Sequence, residues 1–359
     1  LSTINNTPYF FNFHQSRDVG HTLIYGNLHS GKSVLVNFLM TYATKYNPTI
    51  VFLNTNNSAE VLIDLIGGNW SGDAKIPIYG GDSAFTISLL LDVMSSRYSK
   101  GISDDEQKFL DDLIEKIGKT DSISDALKKL NNIDIPESFS AIKAGFSNLK
   151  EYLNAANIAV EEGNITGINC TSGDKALDGD LKAAFVLAAL RSMSFSPDRP
   201  KFLVLDEATY FLDHPYFEHN IDQFLDIAES YNIAIIGLVD TDKYITIRNN
   251  KLWQRMKERL DLEIVMYHKK INYSLVDVCG LTEKEEDLLL SSEDKRCCIL
   301  KPQGSDSVVL QMNIQSLLGR SQVFCPTNET IEKYKKFTQS FKGKNEDFLP
   351  ELYKVLGEK

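Results

Sequence analysis

The sequence predicts an α/β fold with a mainly parallel central sheet, on three observations. A glycine-rich loop lies between a short apolar strand and a helix, a later apolar strand ends in two carboxylates, and short apolar runs alternate with helical stretches. Residues 8–13 are aromatic-rich and predict a strand, and residues 21–25 predict a second that leads into the glycine loop. Beyond the loop, Val34, Leu35, Phe38 and Leu39 recur at helical spacing up to Tyr46, and Pro48 marks the stop. Residues 49–53 predict the next strand, and strand, loop, helix, strand is the opening of a parallel sheet with crossover helices. From 104 to 159 the pattern is helical and highly charged, with Phe109, Leu110, Leu113, Ile114 and Ile117 on one face. We read an all-α insertion over 101–179, edged by Gly101 and the polar stretch 163–179, within a domain made of 1–100 and 180–359. The sheet is expected to resume at 201–205, at 233–239 after a helix over 217–231, and at 262–267. Residues 296–314 alternate like antiparallel strands, and 328–341 predict a closing charged helix.

Gly26, Asn27, Leu28, His29, Ser30, Gly31, Lys32 and Ser33 match the phosphate-loop pattern of two glycines around four residues, then lysine and a hydroxyl. With Val34 they form the candidate nucleotide site. The glycines let the backbone turn so that successive N–H groups point at phosphate oxygens, and the following helix adds its positive end. Lys32 is expected to reach the β and γ phosphates, and the Ser33 hydroxyl to ligate magnesium. His29 reads as a loop residue that lends backbone groups. Asp206, at the end of the strand over 201–205, is expected to hold magnesium through a water. Glu207, one residue on, is expected to polarise the attacking water as general base. Lys32 and Glu207 are thus the candidate catalytic pair, and ATP with Mg2+ the expected cofactors. Asp213 and His214 read as the solvated start of the next helix.

The 359 residues, 43% of them hydrophobic, can fill a sizeable core. Asp and Glu number 49 against 38 Lys and Arg, for a net charge of −11, and that balance argues against nucleic acid as a direct partner. Of the five cysteines, Cys170, Cys279, Cys297, Cys298 and Cys325, the adjacent Cys297 and Cys298 lie in an apolar run and read as buried strand residues, and the odd number reads as a reducing interior. The longest apolar runs, such as 183–190 and 233–239, fall short of the roughly 20 residues that span a bilayer. The chain is therefore expected to be soluble, it shows no secretory signal, and its start at Leu1 suggests a domain of something longer.

Four stretches carry a resemblance. The first is Thr-Pro-Tyr-Phe-Phe-Asn-Phe-His from Thr7, followed by Asp18, Val19, Gly20, His21, Thr22, Leu23 and Ile24; the second is Ala59 and Glu60 with Gly67 and Gly68. The third is Asp206 and Glu207 followed by Phe211, Leu212, Asp213, Pro215, Tyr216 and Phe217. The fourth is Gly280, Leu281, Thr282, Glu283 and Glu285, then Arg296 and the strand 297–301. In order and spacing they resemble the large cytoplasmic ATPases of type IV secretion and conjugative transfer, the VirB-type fourth subunit, also called the TrbE and CagE kind. The resemblance covers nearly the whole chain, as the C-terminal motor domain of a longer protein. It implies a RecA-like P-loop NTPase fold with an all-α insertion, a hexamer, other type IV secretion subunits as partners, and a cytoplasmic position peripheral to the bacterial inner membrane.

Two places depart from that family. Asn54, Thr55, Asn56 and Asn57 stand where charged residues are common. Leu238, Val239 and Asp240 stand where the family has Ala-Thr-Gln, whose glutamine senses the γ-phosphate; Asp240 is the candidate sensor here, and a carboxylate cannot donate the amide's hydrogen bond. A ring ATPase also needs an arginine from the next subunit, for which Arg296 and Arg259 are the candidates, with Arg255 and Arg320 behind them. The first reading is an ATPase motor subunit that energises secretion-system assembly or substrate transfer. The alternative is a nucleotide-binding, hydrolysis-deficient paralogue that serves as a structural interaction platform. A DNA-pumping ring ATPase is a third reading, against which the acidic balance argues.

Overall fold

The computed structural model describes residues 1–14, 18–72, 77–78, 93, 103–118, 128–139, 158–172, 175–176, 179–268, 270–271, 273–291, 297–311, 321–324 and 326–356. The chain opens with β1 (Ser2–Thr3), β2 (Thr22–Gly26), α1 (Lys32–Ala43), β3 (Thr49–Asn54), α2 (Glu60–Leu65), β4 (Asn69–Ser71) and β5 (Pro77–Ile78). Next come α3 (Asp104–Gly118), β6 (Ile158–Ala159), β7 (Ile165–Asn169), β8 (Thr171–Ser172), β9 (Lys175–Ala176) and α4 (Gly179–Ser192). The centre holds β10 (Lys201–Leu205), α5 (Ala208–Phe211), α6 (Pro215–Ser230), β11 (Ile233–Asp240), α7 (Thr241–Ile247), α8 (Lys251–Arg259) and β12 (Leu262–Met266). The chain closes with α9 (Tyr273–Cys279), α10 (Glu283–Ser291), β13 (Cys297–Pro302), β14 (Val308–Gln311), α11 (Ser321–Phe324), α12 (Asn328–Ser340) and α13 (Asn345–Val355).

Ten strands form one sheet in the order β1-β14-β13-β12-β2-β11-β10-β3-β7-β4. From β12 to β4 every pairing is parallel, and the hairpin β13–β14 with β1 adds an antiparallel edge. The mainly parallel sheet expected from the sequence is therefore present. Its inner strands are nearly all apolar because both faces are covered. Leu23, Tyr25, Val51, Leu53, Leu203 and Leu205 pack with Phe185 of α4 and Phe217 and Phe224 of α6. The alternate residues Ile24, Ile50, Phe52, Phe202 and Val204 pack with Leu35, Leu39 and Met40 of α1. Parallel strands joined through helices leave their C-terminal ends, and the loops that follow, along one edge of the sheet, where such folds bind ligands.

A third cluster joins Val61 and Leu62 of α2 to Phe324, Ile331, Tyr334, Phe337 and Leu352 of the C-terminal helices. Lys335 pairs with Glu60 at 2.6 Å, and the Tyr334 hydroxyl donates to Asp64, so α12 is strapped to α2. At the head of α10, Thr282 and Glu285 form a capping box: the Glu285 carboxylate accepts from Thr282 N at 2.7 Å, and Glu285 N donates to Thr282 Oγ1 at 3.4 Å. Among the described residues no helix is long and apolar enough to cross a membrane.

Four expectations are corrected. The stretch 101–179 is not all α, because β7 lies inside it and is an internal strand of the main sheet between β3 and β4. Gly167 made that strand look like linker, yet a Cβ there would lie 2.3 Å from Ile63 and 2.4 Å from Trp70, so the glycine makes room for packing. Residues 8–13 contribute one isolated bridge, Ser2 with Pro8, rather than a strand. Tyr9, Phe11 and Phe13 pack against the sheet instead, while Phe10 is exposed; Phe13 lies 5.2 Å from Phe202, and Phe13 O is so near Gly20 that a Cβ there would be 2.1 Å away. His214 is buried rather than solvated: its Nδ1 accepts from Tyr216 N at 3.2 Å as the cap of α6, and its Nε2 meets Asp180 at 2.9 Å. Finally, α13 extends the chain's helical end beyond the closing helix expected over 328–341. Cys325 lies outside the described residues.

Candidate nucleotide-binding site

Strand β2 ends at Gly26, whose neighbour in register on β11 is Asp240. The loop therefore leaves the sheet at its C-terminal edge, between β11 and β12. A Cβ on Gly26 would lie 2.3 Å from Ser30 Oγ and 3.0 Å from Met266 Cβ, so the close wrap of the loop admits only glycine. His29 at φ 62° and Gly31 at φ 95° are left-handed, and they turn the chain into α1. Leu28 and His29 point outward and are exposed, whereas Ser30 is buried. The Ser30 hydroxyl and the Asn27 side-chain oxygen are buried without a hydrogen-bond partner, polar atoms around a cradle that suits a polar guest. Lys32 Nζ donates to the carbonyls of Gly26 at 2.6 Å and Asn27 at 2.9 Å, contacts that phosphate oxygens can replace. Burial pushes the Lys32 ammonium below its ordinary pKa, and Asp240, Asp206 and Glu207 oppose that shift. Val34 packs toward the C-terminal helices, so only its backbone faces the loop's work.

Asp206 follows β10 at the same edge, its N–H donating to Leu53 O at 2.9 Å. Its Oδ1 accepts from the Ser33 hydroxyl at 3.4 Å, which brings the two expected magnesium ligands together under the loop. Its Oδ2 accepts from Asn54 Nδ2 and from Ser58 Oγ, both at 3.2 Å, and Asn54 also donates to Ser58 Oγ at 2.8 Å. Burial pushes the Asp206 pKa up to about 6, with Ser58 donation pulling it back. Asn54 and Ser58 were not picked out as site residues in the sequence. Within the departure after the second core strand, Asn54 is thus a neutral donor to the acid, while Asn56 Oδ1 accepts from Ser58 N at 2.7 Å and Asn57 Oδ1 accepts from Asn169 at 2.9 Å. Their signal was position alone, since Leu53 and Leu205 are register partners and the next residues on each strand are Asn54 and Asp206.

Glu207 adopts φ 70° and ψ 62°, a left-handed conformation that is costly for a residue with a side chain. It heads α5, its carbonyl accepting from Tyr210 N at 2.8 Å. Its carboxylate is partly exposed and faces Lys243 Nζ at 3.5 Å. Asp240 caps α7, its Oδ1 accepting from Lys243 N at 3.1 Å, and Asp242 accepts from Asn27 Nδ2 at 3.0 Å. His268, buried at the end of β12, has its pKa lowered by burial. Its Nδ1 donates to Met266 O at 2.7 Å, which leaves Nε2 to accept from the Thr241 hydroxyl at 2.8 Å.

The arginines divide. Arg259 is engaged within its own chain by Asp226 and Glu229, each at 2.8 Å, and lies before β12, at the edge of the sheet opposite the loop. Arg255 pairs with Glu258 at 2.7 Å and Asp222 at 3.4 Å. Arg296 and Arg320 lie outside the described residues.

Among the described residues no three His, Cys, Asp or Glu side chains are grouped to hold a metal. Ser33 and Asp206 fit magnesium in the other way that ion is bound, by one carboxylate and a hydroxyl completed by phosphate oxygens and water.

No protein-family model matches the chain. The type IV secretion system protein VirB4 of Bartonella quintana is 22% identical over 373 residues, covering 98% of this chain and 47% of that protein. The chain thus spans about half the length of the relative it matches. Among solved structures, VirB4 of Thermoanaerobacter pseudethanolicus superposes with a TM-score of 0.64 at 16% identity, over 86% of this chain and 94% of that one. The plasmid coupling protein TrwB in complex with ADP and Mg2+ superposes with a TM-score of 0.51 at 12% identity, over 82% and 85%. The fold is that of the RecA-like P-loop NTPases. The chain is homologous to VirB4 over nearly all its length, as the four sequence stretches implied.

Proposed function

We propose that this relative of VirB4 binds ATP with magnesium at Gly26, Asn27, Leu28, His29, Ser30, Gly31, Lys32, Ser33 and Val34, hydrolyses it, and so energises assembly or substrate transfer in a type IV secretion system. The observation that carries the reading is the approach of Ser33 to Asp206 at 3.4 Å beside Lys32, with Glu207 next in the chain. Lys32 gives up its two loop carbonyls to phosphate oxygens. Ser33 and Asp206 hold magnesium, which when bound neutralises charge on the phosphates. Glu207 orients a water whose oxygen bonds to the γ-phosphorus as the bond from that phosphorus to the bridging oxygen breaks. The electron pair leaves with ADP, and the water's proton passes to Glu207. The reading includes a hexameric ring peripheral to the inner membrane on its cytoplasmic side, beside other secretion subunits, and similarity to a protein named for the type IV secretion system supports the secretion part of it.

The test is phosphate release by the wild type, Glu207→Gln and Lys32→Ala at concentrations where a ring can form. The reading expects Lys32→Ala to lose nucleotide binding, and Glu207→Gln to keep binding while turnover falls at least ~100-fold. The alternative platform reading is favoured by one observation, that Asp240 is occupied as a helix cap and cannot donate to a γ-phosphate. Tight ATP binding with no release above Glu207→Gln would make the platform the function.

A further inference from the structure

We propose that Lys243 is a positioning residue for the water-activating Glu207: it holds that carboxylate while no triphosphate is bound, and its ammonium moves to the terminal phosphate when one is. The proposal rests on the ATPase reading above. The register of Asp240 with Gly26 sets the first turn of α7 against the phosphate loop, and the bond from Asn27 to Asp242 fastens it there. The Asp240 carboxylate, standing where a γ-phosphate sensor was expected, fixes the Lys243 amide instead. The backbone of Lys243 is thereby anchored beside the loop while its side chain, 60% exposed, is free to swing. Glu207 is the opposite case, its direction set by a left-handed backbone at the head of α5. Of the two partners 3.5 Å apart, the lysine is therefore the one that moves.

The charges define what it moves toward. An ion pair as exposed as Lys243 with Glu207 holds its members weakly, so a group with several negative charges can displace it. Lys243 and Lys32 repel one another, as two cations placed around the same volume do. A carboxylate at 240 cannot donate to phosphate, whereas the ammonium three residues on carries three donors. Release of Lys243 frees the Glu207 carboxylate to accept a proton from water. The triphosphate that needs the base is then also the signal that uncovers it, and a diphosphate, lacking the terminal group, leaves the pair closed.

Affinities of a fluorescent ATP analogue and its ADP counterpart, measured for the wild type, Lys32→Ala, Lys243→Met, Lys243→Arg, Glu207→Gln and the Lys243→Met/Glu207→Gln double variant, test this without relying on turnover. Lys243→Met is expected to weaken triphosphate binding about five- to tenfold with little change for diphosphate, and Lys243→Arg to restore it. Glu207→Gln is expected to tighten triphosphate binding in the wild type by releasing Lys243, and that gain is expected to shrink several-fold in the Lys243→Met background. A gain as large or larger in that background means that Lys243 stays on Glu207, and overturns the proposal, as does an unchanged Lys243→Met affinity. Binding that Lys32→Ala leaves untouched, or no binding at all, overturns the ATPase reading and this proposal with it. Binding that depends on Lys32 but not on Lys243 overturns this proposal alone.

Discussion

Asp206→Asn is expected to make the nucleotide-free protein more stable, and the size of the gain follows from the site. The buried carboxyl has its pKa raised to about 6 from 3.8, so folding disfavours its charged form. Stability from this group is full below pH 3.8 and is lost as the pH rises through 6. A displacement of that size corresponds to about 3 kcal/mol at its upper limit, and relaxation around a polar cluster brings it to about 1–3 kcal/mol. Asparagine keeps the geometry: its oxygen accepts from Asn54 and Ser58, and its amide donates to the Ser33 oxygen. The assay is the thermal midpoint of both proteins without nucleotide or magnesium, from pH 4 to pH 8. The variant should melt higher at pH 7, by roughly 2–5 °C for a chain of this size, and the gap should close toward pH 4. A variant no more stable at pH 7, or a gap that does not change with pH, would refute the account of Asp206 as a charge held at a cost for its ligand.

Gly26→Ala places a methyl group 2.3 Å from Ser30 Oγ, and the strain of about 1–3 kcal/mol should appear as lost nucleotide affinity in a fluorescence titration. At the left-handed Glu207, glycine should be more stable than alanine by about 1 kcal/mol in denaturant titration, although neither supports phosphate release. Asn37 is buried and donates to Ser58 O at 3.2 Å and Phe324 O at 2.7 Å; Asn37→Ala should cost about 1–3 kcal/mol and speed hydrogen exchange in α11 and α12 before α6. Arg259→Met should lower stability by about 1 kcal/mol and leave phosphate release per folded chain unchanged, because its two partners are in its own chain.

The parallel core was legible because its strands are buried on both faces and so read as apolar runs such as 202–205 and 233–239, and because the phosphate loop announces the strand before it and the helix after it. What could not be read follows from the same physics. Strand β7 carries Gly167 because Trp70 and Ile63 close over it, and a residue chosen for close packing is one that elsewhere marks a linker. The aromatic run at 8–13 looked like a strand because aromatics favour strands, yet the rings of Tyr9, Phe11 and Phe13 cover the sheet face next to α1. His214 looked polar and solvated because the partner that makes its burial tolerable, Asp180, is 34 residues away.

The site shows the same division between what a motif states and what tertiary register supplies. Lys32, Ser33, Asp206 and Glu207 could be picked as candidates because the phosphate-loop pattern and the acidic strand end place those residue types at fixed offsets. Asn54, Ser58 and Lys243 could not, since each gains its place only when β3 lies beside β10 and β11 beside β2. The two departures from the family pattern then have a common physical meaning. Asn54, standing where charged residues are common, gives Asp206 a neutral donor and no countercharge, so the rise that burial imposes on its pKa is opposed by Lys32 and by hydroxyl donors. Replacing an amide donor by Asp240 adds another negative charge beside the loop, and the cation that answers it is carried by Lys243, whose own amide Asp240 holds. Both changes hand more of the electrostatic work to magnesium and the lysines, so nucleotide affinity in this chain should depend on ionic strength and magnesium more steeply than a site built with an amide sensor. Titrations of ATP binding at 50 and 300 mM salt, for the wild type and for Asp240→Gln, measure that difference, and equal salt slopes would contradict it.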